Sequence, residues 1–210
     1  MNERPVRVLL VAEGEHERSG ALENLVERLG GGEASFTPAR VSDDRVHAFH
    51  GTGDGHTKRA LGWLEWARQE EYDALILLID QDRPEEKRSE QIRKAQEYWD
   101  PDEPASNLPR AMGVAIKMFD AWMLADENAL TEVLGCTVAR QRNPETIRKP
   151  KKVCQKLLEN GVNQMAQRDM YAEIALRLDL GILSSRCPKG FRPFAERVRG
   201  VFGAEARVEE

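Results

Sequence analysis

The sequence predicts an α/β protein with a three-layer, mostly parallel sheet and a helical C-terminal extension. Short unbroken apolar runs at 6–12 (VRVLLVA), 74–79 (ALILLI) and 112–118 (MGVAIKM) read as strands buried on both faces, as in a parallel sheet. A segment that reads as a helix follows each run, and alternating β and α units favour parallel strands covered by helices. An acidic residue stands at the exit of each strand: Glu13, Asp80 and Asp120.

The first strand runs into Glu13, Gly14, Glu15, His16 and Glu17, where Gly14 permits a sharp turn. Over 17–29, Leu22, Leu25, Val26 and Leu29 recur at helical spacing, and Gly30, Gly31 and Gly32 stop that helix. Glu15 and Glu17 read as first-turn charges that complement the helix dipole, a reading that suits Glu13 less well. Residues 34–41 form a weaker strand. The polar stretch 42–57, with Gly51, Gly53, Gly55, His47, His50 and His56, reads as a surface loop within reach of substrate. It has neither zinc-ligand spacing nor the preceding strong strand of a dinucleotide fingerprint.

Residues 58–70 read as a helix with Leu61, Leu64 and Trp66, and 73–79 as the central strand. The charged stretch after Pro84 reads as an exposed helix with i,i+4 pairs, and 100–109 as a Pro-rich turn. After the strand at 112–118, residues 119–134 read as a helix. Trp122, Met123 and Leu124 would be core, and Asp126 would precede or cap 127–134. From 140 to 156 basic residues dominate: Arg140, Arg142, Arg148, Lys149, Lys151, Lys152 and Lys156, punctuated by Pro144 and Pro150. Helices are expected from 152, over 169–178 and over 191–202, with a frayed tail from Ala204. The expected division is an α/β domain at 1–138 and a basic helical extension at 139–210 packed on the sheet.

A net charge of −5 excludes a globally basic nucleic-acid binder but leaves room for a local basic face. No run approaches the roughly 18 apolar residues of a membrane span, so no membrane association is expected. The opening stretch MNERPVRVLLVAEG is too short in apolar length for a secretory leader. Cys136, Cys154 and Cys187 show neither finger spacing nor a disulfide framework, so a cytoplasmic setting is expected. The chain has no G-x-x-x-x-G-K-[ST], which removes a P-loop hydrolase.

Asp80 and Asp82 stand at i and i+2 on an extended chain, so both point the same way at the ligand-binding end of a strand. Two carboxylates held together repel, and a hard cation such as Mg2+ neutralises them. The competing reading is a polar strand exit turning before Pro84. Glu13 and Asp120 meeting the pair on one sheet edge favours the metal site. Arg148, Lys149, Lys151 and Lys152 form either a solvated basic face or, beside such carboxylates, a phosphate-binding one.

Glu13-Gly14 after the first strand and Asp80-Gln81-Asp82 after a later one resemble, in order and context, the acidic motifs of the Toprim domain. That domain is the Mg2+-dependent catalytic unit of type IA and type II topoisomerases, primases, ribosomal-RNA-maturing nucleases and OLD-type nucleases. More narrowly, EGEHE, LILLIDQDR, FDAWMLAD, KPKK and CPKGF are similar to stand-alone bacterial Toprim-like proteins, often found beside ATPases of phage-defence type. The resemblance implies a Toprim-like (Rossmann-like) fold. It implies Glu13 as general acid/base or metal ligand, and Asp80 and Asp82 as ligands of Mg2+ (or Mn2+). Asp120 stands where the family places a Glu, and His16 where it places a hydroxyl residue.

The implied function is a metal-dependent nuclease acting on DNA or RNA, with Lys149, Lys151 or Lys152 stabilising developing charge. The alternative is a non-catalytic Toprim-like regulatory or binding subunit of an ATPase-containing complex. A homodimer is left open. Tyr72, Tyr98 and Tyr171 read as structural, and no tyrosine stands at a motif, so a topoisomerase is not expected.

Overall fold

Strict alternation along the strands divides their side chains between two cores. The computed structural model describes residues 4–46, 54–81 and 87–203. Strands β1 (Arg7–Ala12), β2 (Ser35–Arg40), β3 (Ala74–Gln81) and β4 (Arg110–Ile116) form a four-stranded sheet in the order β2-β1-β3-β4, each pair parallel. Val8, Leu10 and Ala12 of β1 and Ala74, Ile76 and Leu78 of β3 enter one apolar cluster. Leu9 and Val11 of β1 and Leu75, Leu77 and Ile79 of β3 enter the other. Period two combined with double burial is why these runs are uninterrupted in sequence.

Helices α1 (Leu22–Val26), α4 (Phe119–Met123), α5 (Glu127–Leu134), α6 (Pro150–Asn160), α7 (Gln167–Arg177), α8 (Leu180–Arg186) and α9 (Phe191–Gly203) contribute to the first cluster. Helices α2 (Gly55–Gln69) and α3 (Arg88–Gln96) cover the second. The protein is therefore a three-layer, Rossmann-like α/β fold. The β1-to-β2 connection passes over one face through α1, and the β2-to-β3 connection over the other through α2. Since β2 and β3 flank β1 on opposite sides, the chain reverses direction across the sheet between β1 and β3. The crevice outside the carboxyl ends of those two strands is where open α/β sheets bind ligands.

Residues from both sides of position 138 share the first cluster. Met170, Tyr171 and Ile174 of α7 and Phe191, Phe194 and Val198 of α9 pack in it with Val8 and Leu10. Gly113 lets α9 lie close on β4, because a Cβ there would stand 2.5 Å from Phe194 Cδ2. Trp122 is fully buried, its ring centroid 5.2 Å from that of Phe191 and 5.7 Å from that of Phe194.

The structure departs from the sequence reading at several places. Residues 119–134 are not one helix: the Asp126 side chain accepts from Asn128 N and Ala129 N and starts α5 afresh after α4 ends. The loop expected over 42–57 ends early, because α2 begins at Gly55. Gln91 of α3 fixes that start by accepting from His56 N and Thr57 Oγ1. His47, His50, Gly51 and Gly53 lie outside the described residues, as does the tail from Ala204. Helix α3 carries the expected Arg93–Glu97 and Lys94–Glu90 pairs, yet it buries Ile92 and Ala95 against the sheet layer. The short α8 was not foreseen; Asp179 caps it by accepting from Ile182 N at 2.8 Å. Among the described residues no helix is long and apolar enough to cross a membrane.

Candidate functional site

Parallel strands deliver their exits to one edge, and the carboxylates at those exits accept hydrogen bonds from the backbone of neighbouring exits. Glu13 Oε2 accepts from Asp80 N at 3.1 Å, tying the end of β1 to the end of β3. Asp80 Oδ1 accepts from Phe119 N at 2.8 Å, tying β3 to the first turn of α4, where Asp120 stands. Arg88, at the start of α3, places Nη1 3.2 Å from Glu13 Oε2 and donates to Asp80 O at 2.6 Å. The structure thus brings Glu13, Asp80 and Asp120 together in the β1/β3 crevice.

Glu17 joins them, and the sequence reading missed it. Its side chain is only 5% exposed and folds back over Gly14, where a Cβ would lie 2.0 Å from Glu17 Oε2. The helical dihedrals break at Ser19 and Gly20, so Glu17 is not on a regular first helical turn pointing to water. Gly14 therefore serves the site through the space it leaves. Burial pushes the Glu17 carboxyl up to about 7; the charges of Asp120 and Glu13 add to this, while a backbone hydrogen bond and Arg18 oppose it. Burial also raises the Asp80 carboxyl well above its ordinary value. The charges of Glu17, Glu13 and Asp120 add, against the bond from Phe119 N. Burial first, and the neighbouring carboxylates second, therefore favour the protonated forms of Glu17 and Asp80 in the metal-free crevice. The only sequence signal for Glu17 is its place in EGEHE, one helical turn after Glu13.

Asp120 is held from behind. Tyr171 of α7 donates its hydroxyl to Asp120 Oδ1, and Gln167 Nε2 donates to that hydroxyl at 2.8 Å. Cys154 of α6 donates Sγ–H to Asp120 O at 3.6 Å, and burial pushes this thiol up to about 12, which keeps it a donor. The His16 ring meets Tyr171 edge-on at 5.1 Å, and His16 Nδ1 is buried without a partner among the described residues. Tyr171 is fully buried, as a structural tyrosine would be, and it also orients a site carboxylate.

The remaining candidates stand apart. Asp82 lies outside the described residues. Arg148, Lys149, Lys151 and Lys152 are exposed at the start of α6, and among the described residues no ion pair joins their side chains to the carboxylates. Contact between Cys154 and Asp120 nonetheless sets α6 beside the crevice.

Among the described residues no three His, Cys, Asp or Glu side chains form a ready-made metal cage. An all-carboxylate donor set with no sulfur or imidazole suits a hard cation. Mg2+ in particular is usually held by one or two carboxylates together with water and substrate phosphate. The residues present fit that open kind of site.

A family model described as a domain of unknown function, DUF4276, matches residues 17–199. No curated protein matches the chain, and no solved structure does.

Proposed function

The chain belongs to the DUF4276 family, and we propose that its acidic crevice is a Mg2+- or Mn2+-dependent phosphodiester-cleaving site of Toprim type, acting on nucleic acid. One observation carries this reading: Glu13, Glu17, Asp80 and Asp120 converge at the β1/β3 crevice with two of their carboxyls pushed up. The order and context of Glu13-Gly14 and Asp80-Gln81-Asp82 support it. Free Cys136, Cys154 and Cys187 support a reducing, cytoplasmic setting.

In this reading Asp80, Asp120 and Glu13 would hold the ion, joined by Asp82 as the sequence motif implies. A bound ion would supply Lewis-acid polarisation of a phosphoryl oxygen and would favour ionisation of the attacking water. Glu17, titrating near neutrality, takes a proton from the attacking water and returns one to the leaving oxygen. Arg88 keeps Glu13 in place and adds positive charge where the phosphorane charge develops. Tyr171 fixes the rotamer of Asp120. Arg148, Lys149, Lys151 and Lys152 meet phosphates of a longer substrate along α6.

The test is a Mg2+ and Mn2+ titration of cleavage on plasmid, single-stranded DNA and transfer RNA, with Asp80→Asn and Glu17→Gln alongside. Metal-dependent cleavage that falls roughly a hundredfold or more in either folded variant is the expected result. A folded wild-type protein that cuts none of these substrates would leave the non-catalytic subunit of an ATPase complex as the better reading.

A further inference from the structure

A cavity of about 470 Å³ opens beside the acidic crevice, and Glu13 is a wall of both. Among the described residues it is also lined by Arg40, Val41, Ser42, His56 and Arg59. Arg40 ends β2 in register with Ala12 of β1, one residue before Glu13, and Val41 N donates to Ala12 O at 3.0 Å. Arg59 comes from the first turns of α2, whose start the contacts with Gln91 anchor. The cavity thus continues the carboxyl edge of the sheet from β1 towards β2.

Several arginines of this chain have acidic partners. Arg45 pairs with Asp43, Arg68 with Glu65, Arg88 with Glu13, Arg93 with Glu97, and Arg186 with Glu127. Arg40 and Arg59 have no hydrogen-bond or ion-pair partner among the described residues, although the chain carries five more acids than bases. Two unpaired arginines lining one concave space suit an anionic group. Their planar forks match phosphate oxygens in a way a single ammonium does not.

We propose that this cavity binds a phosphate group of the same nucleic-acid strand whose neighbouring phosphodiester is cut in the crevice. The proposal rests on the reading of the crevice as a phosphodiester-cleaving site. The chemistry gives it a purpose. Carboxylates repel the scissile phosphate until a cation intervenes, so an anchor for the adjacent phosphate supplies binding and register that the crevice lacks. A strand entering over Arg40 and Arg59 then passes Glu13 before it reaches Asp80.

The experiment measures binding of the full chain in EDTA to fluorescein-labelled single-stranded oligonucleotides, one with a 5′-phosphate and one with a 5′-hydroxyl, across a salt series. The Arg40→Ala/Arg59→Ala variant should bind at least one of them about tenfold more weakly, with a salt slope smaller by about one. Loss on both oligonucleotides identifies an internal phosphodiester, and loss on the phosphorylated one alone identifies a terminal phosphate. Unchanged affinity and slope for both overturns the proposal. So does a loss seen only in Lys149→Ala/Lys151→Ala. Should the alanine pair not fold, Arg40→Gln/Arg59→Gln gives the same reading. Cleavage plays no part in this measurement. Arginine-dependent binding by a protein that never cuts would remove the phosphodiesterase and keep the cavity, and cutting with arginine-independent binding would do the reverse.

Discussion

Glu17 carries a proton near neutrality because it is buried beside Asp120, Glu13 and Asp80, with Arg18 the opposing charge. Its carboxyl rises from 4.5 to about 7 on folding, so the folded state binds the extra proton. Stability from this group is fully present below 4.5 and is lost as pH rises through about 7. Metal-free protein should therefore lose roughly 3 kcal/mol across that window on account of Glu17 alone, and Asp80 acts in the same direction. Urea unfolding in EDTA at a series of pH values reads this, and Glu17→Gln should flatten the profile. An unchanged profile in that variant would assign the slope elsewhere. Glu13, Asp80 and Asp120 were legible in the sequence because each ends an apolar run. Glu17 was not, because a first-turn acid is ordinarily solvated, and only the fold-back over Gly14 buries it. Tyr171 was half legible: it read as structural, but nothing in the chain announces that it reaches Asp120.

Strands declared themselves most clearly, since burial on both faces leaves β1, β3 and β4 as unbroken apolar runs. Helices were harder where a polar side chain did the organising. Asp126 accepts from Asn128 N and Ala129 N, and its other oxygen accepts from Asp179 N at 3.0 Å, so a single carboxylate starts α5 and seats the entry to α8. The tertiary bond cannot be read from spacing, and α8, with seven residues, is too short for periodicity to reveal. Asp126→Ala should cost about 2 kcal/mol or more, the worth of a cap plus a stranded buried donor. Asp126→Asn should keep much of it. Denaturant unfolding of the two variants decides, and equal, negligible losses would mean that the break between α4 and α5 is set by packing alone. Helix α3 shows the opposite masking, because charges on its exposed face hid the burial of Ile92 and Ala95.

At the scale of the whole molecule, alternating β and α units were enough to foresee a parallel three-layer sheet. They did not show that α7 and α9 complete the same core as β1, since amphipathic spacing gives a helix a buried face without saying what it meets. Position follows from topology: the chain crosses to opposite sides of β1, the crevice forms between β1 and β3, and the carboxylates fall there as strand exits. The proposed chemistry requires this crevice to take up a divalent cation. Its most direct test is calorimetric titration of Mn2+ into metal-free protein at neutral pH, in buffers of differing ionisation enthalpy, with Asp80→Asn alongside. Saturable binding accompanied by proton release is expected, because Asp80 must shed its proton to meet the ion and the added positive charge draws the proton off Glu17, with binding about tenfold or more weaker in the variant. Folded wild-type protein that takes up no Mn2+, or Asp80→Asn that binds it equally well, would show that the crevice is not a cation site.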